Sequence, residues 1–123
     1  DLTLVNLSGA DLSKTDLRGA LLTKAKLAGA NLQGANLAMG NLIGANLSEA
    51  NARKANFAGA DLTSADLKWT NLGQANLSGA NLTGADLSYT SLFKANLSGA
   101  EWARARFCKT TMPDGAINNA GCH

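Results

Sequence analysis

The chain has 123 residues, enough for one domain with a continuous core, and its eleven Lys and Arg against nine Asp and Glu leave a formal net charge of +2. That balance has neither the strong basic bias of a nucleic-acid binder nor the acidity of a DNA mimic, and no apolar run approaches the roughly 18 to 20 residues of a membrane span. No charged-then-apolar leader precedes Asp1, so the chain reads as soluble; the missing initiator Met leaves room for an upstream segment, whose address would be lost with it.

From Asp1 the sequence falls into fives, DLTLV, NLSGA, DLSKT, DLRGA, LLTKA, KLAGA, and continues without insertion or deletion to RFCKT at Arg106 to Thr110. Of these 22 units, 20 carry Leu or Phe in second place, 17 carry Asp or Asn in first place and 16 carry Ala in fifth place, which compositional bias does not produce. A period of five suits neither regular element. On a helix successive leucines would step by about 140° and smear around the surface, and on a straight strand they would alternate faces. The backbone must therefore turn once per unit. Within that turn the Ala and the following Leu, such as Ala10 and Leu12, point to one side of an extended segment and face inward. Nine of the 13 glycines hold the fourth place, where a tight turn calls for positive φ.

The units resemble the A-[DN]-[LF]-[STR]-X pattern of the pentapeptide-repeat family along about nine-tenths of the chain. The resemblance implies an all-β fold, a right-handed quadrilateral β-helix in which four units make one square coil with Leu, Phe and Ala inside. Residues 1–110 would then form about five and a half coils, with 111–123 as a C-terminal cap. If neighbouring coils pair like strands, they lie about 4.8 Å apart.

Taken in chain order on that frame, the first coils carry Leu4, Leu21, Met39 and Ile43 at outward places, to be covered by a cap or a second subunit or left singly exposed. The repeat is already in phase at Asp1, so an uncapped first coil would offer bare core and unpaired backbone, a route to self-association. In the third coil Ala52 replaces a core leucine and the next core position is the larger Phe57, a volume-conserving exchange within one layer. Further on, Thr70, Thr90 and Thr110 replace Ala at twenty-residue spacing. First-place acids such as Asp11, Asp16, Asp61, Asp66 and Asp86 are not paired catalytic carboxylates. The slot takes Asn as readily, so its task is a side-chain oxygen bonding to backbone at the turn.

The most informative outward column holds Glu49, Trp69, Tyr89 and Lys109, with Lys68 beside it and Phe93 and Lys94 around the corner. Exposed aromatics flanked by cations are what interaction hot spots use; the competing reading is a cross-coil ladder that only stabilises the stack. Shorter cation groups, Lys54 with Lys94 and Arg104, Arg106 and Lys109 near the cap, read as solvated faces.

After Phe107 the pattern loosens, the core leucines give way to Trp102, Phe107 and Met112, large side chains that would plug the final coil, and the only proline opens Pro113-Asp114-Gly115, a turn signal. Two cysteines, Cys108 and Cys122, are too few for a disulfide scaffold, and His123 cannot complete a zinc site with them. The string FCKTTMPDGAINNAGC resembles the C-terminal cap of cyanobacterial and chloroplast-lumen members. The resemblance implies a tail folded back with Cys108 bonded to Cys122; free thiols are the alternative, and a cap opened by reduction is a further reading.

No Ser/His/Asp or Cys/His constellation exists, and the recurrent glycines precede no helix, so no catalytic, cofactor or metal site is expected. The expected role is a structural or protein-interaction module with a protein partner and no nucleic-acid or membrane partner. The alternative is DNA-mimic inhibition of a type II topoisomerase, as in quinolone-resistance members of the family, against which the charge balance counts. Family resemblance and the implied disulfide point to periplasm or thylakoid lumen.

Overall fold

A computed structural model describes residues 1–122; His123, weighed above as a zinc ligand, lies outside the described residues. Each first-place residue forms a parallel bridge with the residue twenty positions on, from Asn6 with Lys26 to Ser91 with Thr111. Four units therefore complete one turn of a solenoid, and the twenty-residue columns inferred from the sequence are true neighbours.

The reason five residues suffice lies in where the backbone N–H groups go, since buried amides must be satisfied. In the unit beginning at Asn41, the first N–H donates to Ala20 of the preceding coil at 2.9 Å. Those of Leu42 and Gly44 donate to Asp61 and Thr63 of the next coil at 2.7 and 2.9 Å, and that of Ala45 closes the turn on Leu42 at 3.0 Å. Only the third N–H is left over, and it donates to the side chain of the first residue, here Ile43 to Asn41 Oδ1 at 3.1 Å. The same bond recurs at every Asp or Asn in first place, for example Thr63 to Asp61 and Ser88 to Asp86. Asp and Asn both use Oδ1, which is why the place accepts either and why charge is not what it selects.

The turn also fixes the backbone at the fourth place. All nine glycines there have positive φ, and so do the thirteen other residues that occupy it, Lys14, Met39, Trp69 and Tyr89 among them. With the fifth N–H bonded back to the second carbonyl, this is the geometry of a turn with a left-handed third residue.

Second-place Leu or Phe and fifth-place Ala fill the interior. From Leu22 to Leu92 these positions are essentially inaccessible, including Ala52 and Phe57, whereas Leu2, Val5, Leu7, Leu12 and Leu17 are partly buried. Thr70, Thr90 and Thr110 are buried in the Ala column.

Beyond the last bridge the chain leaves the repeat. Strand β1 (Thr110–Thr111) pairs antiparallel with β2 (Ile117–Asn118), Thr110 opposite Asn118 and Thr111 opposite Ile117, and the turn between them contains Pro113 and Gly115. Gly121 N–H returns to the carbonyl of Phe107 at 2.7 Å, and a disulfide joins Cys108 to Cys122. Of the three large residues expected to plug this end, Phe107 is buried and Met112 half-buried, but Trp102 is 44% exposed. The hairpin packs over the Phe107 edge and leaves Trp102 at the rim, its ring edge-on to Phe107 at 6.3 Å.

Candidate protein-interaction face

Because the wall is the same at every unit, distinct chemistry can only come from side chains at the first, third and fourth places. The column that departs furthest from small residues is Gly29, Glu49, Trp69, Tyr89 and Lys109. The rings of Trp69 and Tyr89 stack with centroids 4.2 Å apart and planes 4° from parallel, a separation close to that of the coils carrying them. Lys109 Nζ lies 5.8 Å from the Tyr89 ring centroid, within cation–π range. Despite its stacked face Trp69 remains 59% exposed, and Tyr89 39%.

Both aromatics sit at φ 61°, a region where bulky side chains are outliers and where nine other units use glycine. The wall tolerates them because their N–H groups are held by the next coil, Trp69 on Ser88 and Tyr89 on Cys108. Glu49, on the other side of Trp69, lines a shallow dent of about 480 Å³ with it and has no ion pair among the described residues.

The other members of the expected group divide. Lys68 is tied to Asp66 at 3.5 Å. Phe93 lies under Lys94, whose Nζ is 5.3 Å from its centroid, and its ring neighbours Gly115 of the hairpin turn, where an added Cβ would stand 3.5 Å from Phe93 Cε1. Phe93 therefore belongs to the hairpin end, apart from the Trp69–Tyr89 stack. Leu4, Leu21 and Met39 are exposed as single side chains and Ile43 is half-buried.

Sequence reasoning missed a groove of about 680 Å³ lined by Leu97, Trp102, Met112, Pro113 and Ile117 among others. Beside it the backbone N–H groups of Leu97, Gly99, Trp102 and Arg104 make no hydrogen bond among the described residues, because residues 116–122 form the hairpin rather than another coil. The signal was present in Pro113, where the register lapses.

Two of the first-place carboxylates are held by partners within their own turns. The Ser13 hydroxyl and then its N–H hold Asp11 below its ordinary value, and the Arg18 side chain does the same for Asp16, which it meets at 2.9 Å. Among the described residues no group of three His, Cys, Asp or Glu is placed to hold a metal ion, and no helix is long and apolar enough to cross a membrane.

The pentapeptide-repeat family profile matches this chain in eight copies, over residues 1–37, 41–79 and 60–99. Among solved structures, the pentapeptide-repeat protein Rfr23 from the cyanobacterium Cyanothece 51142 is 36% identical with a TM-score of 0.69, covering 69% of this chain and 58% of Rfr23. The pentapeptide-repeat protein alr5209 from Nostoc PCC 7120 is 33% identical with a TM-score of 0.52, over 78% of this chain and 74% of that one. A trypsin-treated variant of QnrB1, a plasmid-mediated fluoroquinolone resistance protein, aligns over 87% of this chain and 57% of its own at 23% identity and a TM-score of 0.53, a likeness of fold alone. The chain thus spans less than two thirds of the length of Rfr23 and of QnrB1. No functionally curated protein matches it.

Proposed function

Since the chain belongs to the pentapeptide-repeat family, we propose that it is a non-catalytic module that presents the Trp69–Tyr89 face to another protein. The observation that carries this reading is the pair of aromatics kept outward and solvent-accessible at a backbone position that disfavours them. Rigid rings give large contact area at small entropic cost, and the surrounding small residues let a partner approach. Glu49, Lys68 and Lys109 would set the rim, with Phe93 as a neighbouring contact on the hairpin side.

We take the scaffold for this face to be a right-handed square coil of about five and a half turns over 1–110 with 111–123 as its C-terminal cap, His123 lying outside the described residues. The Cys108–Cys122 bond favours an oxidising compartment such as periplasm or thylakoid lumen. Topoisomerase inhibition by DNA mimicry is the lesser reading, because the first-place acids spend an oxygen on turn N–H groups and the chain has a net charge of +2.

Capture of binding proteins by wild type and by Trp69→Ala/Tyr89→Ala tests the face, with matched melting curves to show that the coil is intact. Proteins bound by wild type and lost by the variant are expected. Identical capture by both would end the reading.

A further inference from the structure

We infer that the dent between Glu49 and Trp69 takes an arginine side chain of the partner protein; the inference rests on the interaction face proposed above and names the chemistry of what docks there.

The column is a stack with unlike ends. At one end Lys109 lies over the outer face of Tyr89, 5.8 Å from its centroid, so the aromatic pair already holds one cation of the protein's own. Between the rings there is no room, since they stand 4.2 Å apart. At the other end Trp69 and Glu49 line the dent of about 480 Å³. An indole and a carboxylate-bearing side chain thus border the same space. Lys68, beside Trp69 in sequence, is engaged by Asp66 at 3.5 Å, and Glu49 has no salt-bridge partner among the described residues. The missing complement is a cation that can lie flat on an indole while pairing with a carboxylate.

Guanidinium meets both conditions. Its plane stacks on an aromatic face, its parallel N–H groups match a carboxylate, and it is less strongly hydrated than ammonium. A lysine would satisfy either wall but has no planar fork to satisfy both.

The test uses the whole protein and three capped tripeptides, Gly-Arg-Gly, Gly-Lys-Gly and the uncharged isostere Gly-citrulline-Gly. The readout is the indole N–H resonances of Trp69 and Trp102, assigned with Trp69→Leu. The arginine peptide is expected to shift the Trp69 resonance and leave that of Trp102 in place, with affinity at least fivefold above the lysine peptide and at least fivefold above citrulline. Glu49→Gln is expected to weaken it at least fivefold without altering the melting curve. Equal binding of arginine and citrulline, equal binding of arginine and lysine, an unmoved Trp69 resonance, or an unaffected Glu49→Gln variant would each overturn the assignment. These outcomes are separable from failure of the face itself. If Trp69→Ala/Tyr89→Ala loses partner proteins that Glu49→Gln still captures, the face stands and the arginine does not.

Discussion

Thr70 Oγ1 donates a 2.7 Å hydrogen bond to the carbonyl of Leu47, twenty-three residues earlier. That carbonyl also closes its own turn by accepting the N–H of Ala50 at 3.0 Å, so both of its acceptor directions are used inside the wall. Thr90 repeats the bond on Leu67 and Thr110 on Leu87. A hydroxyl in a column of alanines is thereby satisfied, and four successive coils are linked by side chain as well as by backbone.

Replacing Thr90 with Val keeps the volume and removes the donor, while Leu67 retains the turn bond from Thr70 N–H at 3.1 Å. The expected loss is that of one neutral hydrogen bond, about 1 kcal/mol, measured by denaturant unfolding. A loss above about 3 kcal/mol would mean that the threonine column holds more than a single bond.

Gln74 and Trp69 occupy the same strained backbone at φ 59° and 61°. A left-handed conformation costs a non-glycine residue about 1 to 2 kcal/mol, partly offset by the greater unfolded-state freedom of glycine, so Gln74→Gly is expected to stabilise by up to about 1 kcal/mol. Trp69→Gly gains the same relief and loses ring stacking of about 0.5 to 1.5 kcal/mol, for little net change in stability. Thermal melts distinguish the two readings of the column. A large destabilisation by Trp69→Gly would make the ring a structural strut rather than a contact.

The disulfide spans fourteen residues of sequence separation. In the chain-entropy account a loop of that size contributes about 3 kcal/mol, so Cys108→Ser/Cys122→Ser should unfold at lower denaturant by up to that amount, and reductant should reproduce the shift in the wild type. A melt indifferent to reductant would remove the staple and any redox switch together.

Asp11 and Asp16 have folded values below the ordinary 3.8. A carboxyl whose pKa is depressed by folding stabilises in full above its unfolded value, and that contribution disappears as pH falls through the lower folded value. The wall should therefore weaken slightly on acidification below pH 3.8, and less so at high salt for Asp16, whose partner is an exposed guanidinium. Carbon-detected titration should show the Asp11 carboxyl moving up toward 3.8 in Ser13→Ala; an unmoved midpoint would contradict the assigned cause.

The inward leucines were legible because a period repeated without slippage dictates them, whereas four units to a coil came from the family resemblance, since a period of five does not fix the number of sides. Given four, twenty-residue neighbours follow from arithmetic, which is why Trp69 and Tyr89 were paired in advance. Their parallel stacking was not legible, since it depends on side-chain torsions that the period leaves free. The same holds for Lys68, which could reach the aromatics or its own Asp66 and is held by the latter. Thr70 was marked by its spacing, but the carbonyl it meets becomes identifiable only once the coil path is known. Trp102 was misjudged because the period ends nearby. Past Pro113 no repeat constrains the chain, and the hairpin's placement, which decides whether Trp102 is covered, arises from tertiary contacts.

Bridges joining each first-place residue to the one twenty positions later make the wall indifferent to which unit stands where, provided units stay whole. Duplicating one pentapeptide between Trp69 and Tyr89 would keep the second-place leucines inside and the bonding pattern of the wall, yet carry all that follows a quarter of the way around the shaft. Tyr89 and Lys109 would then look out from a different side than Trp69 and Glu49. Gaining or losing five residues thus rearranges the outer pattern while the register of the wall is kept.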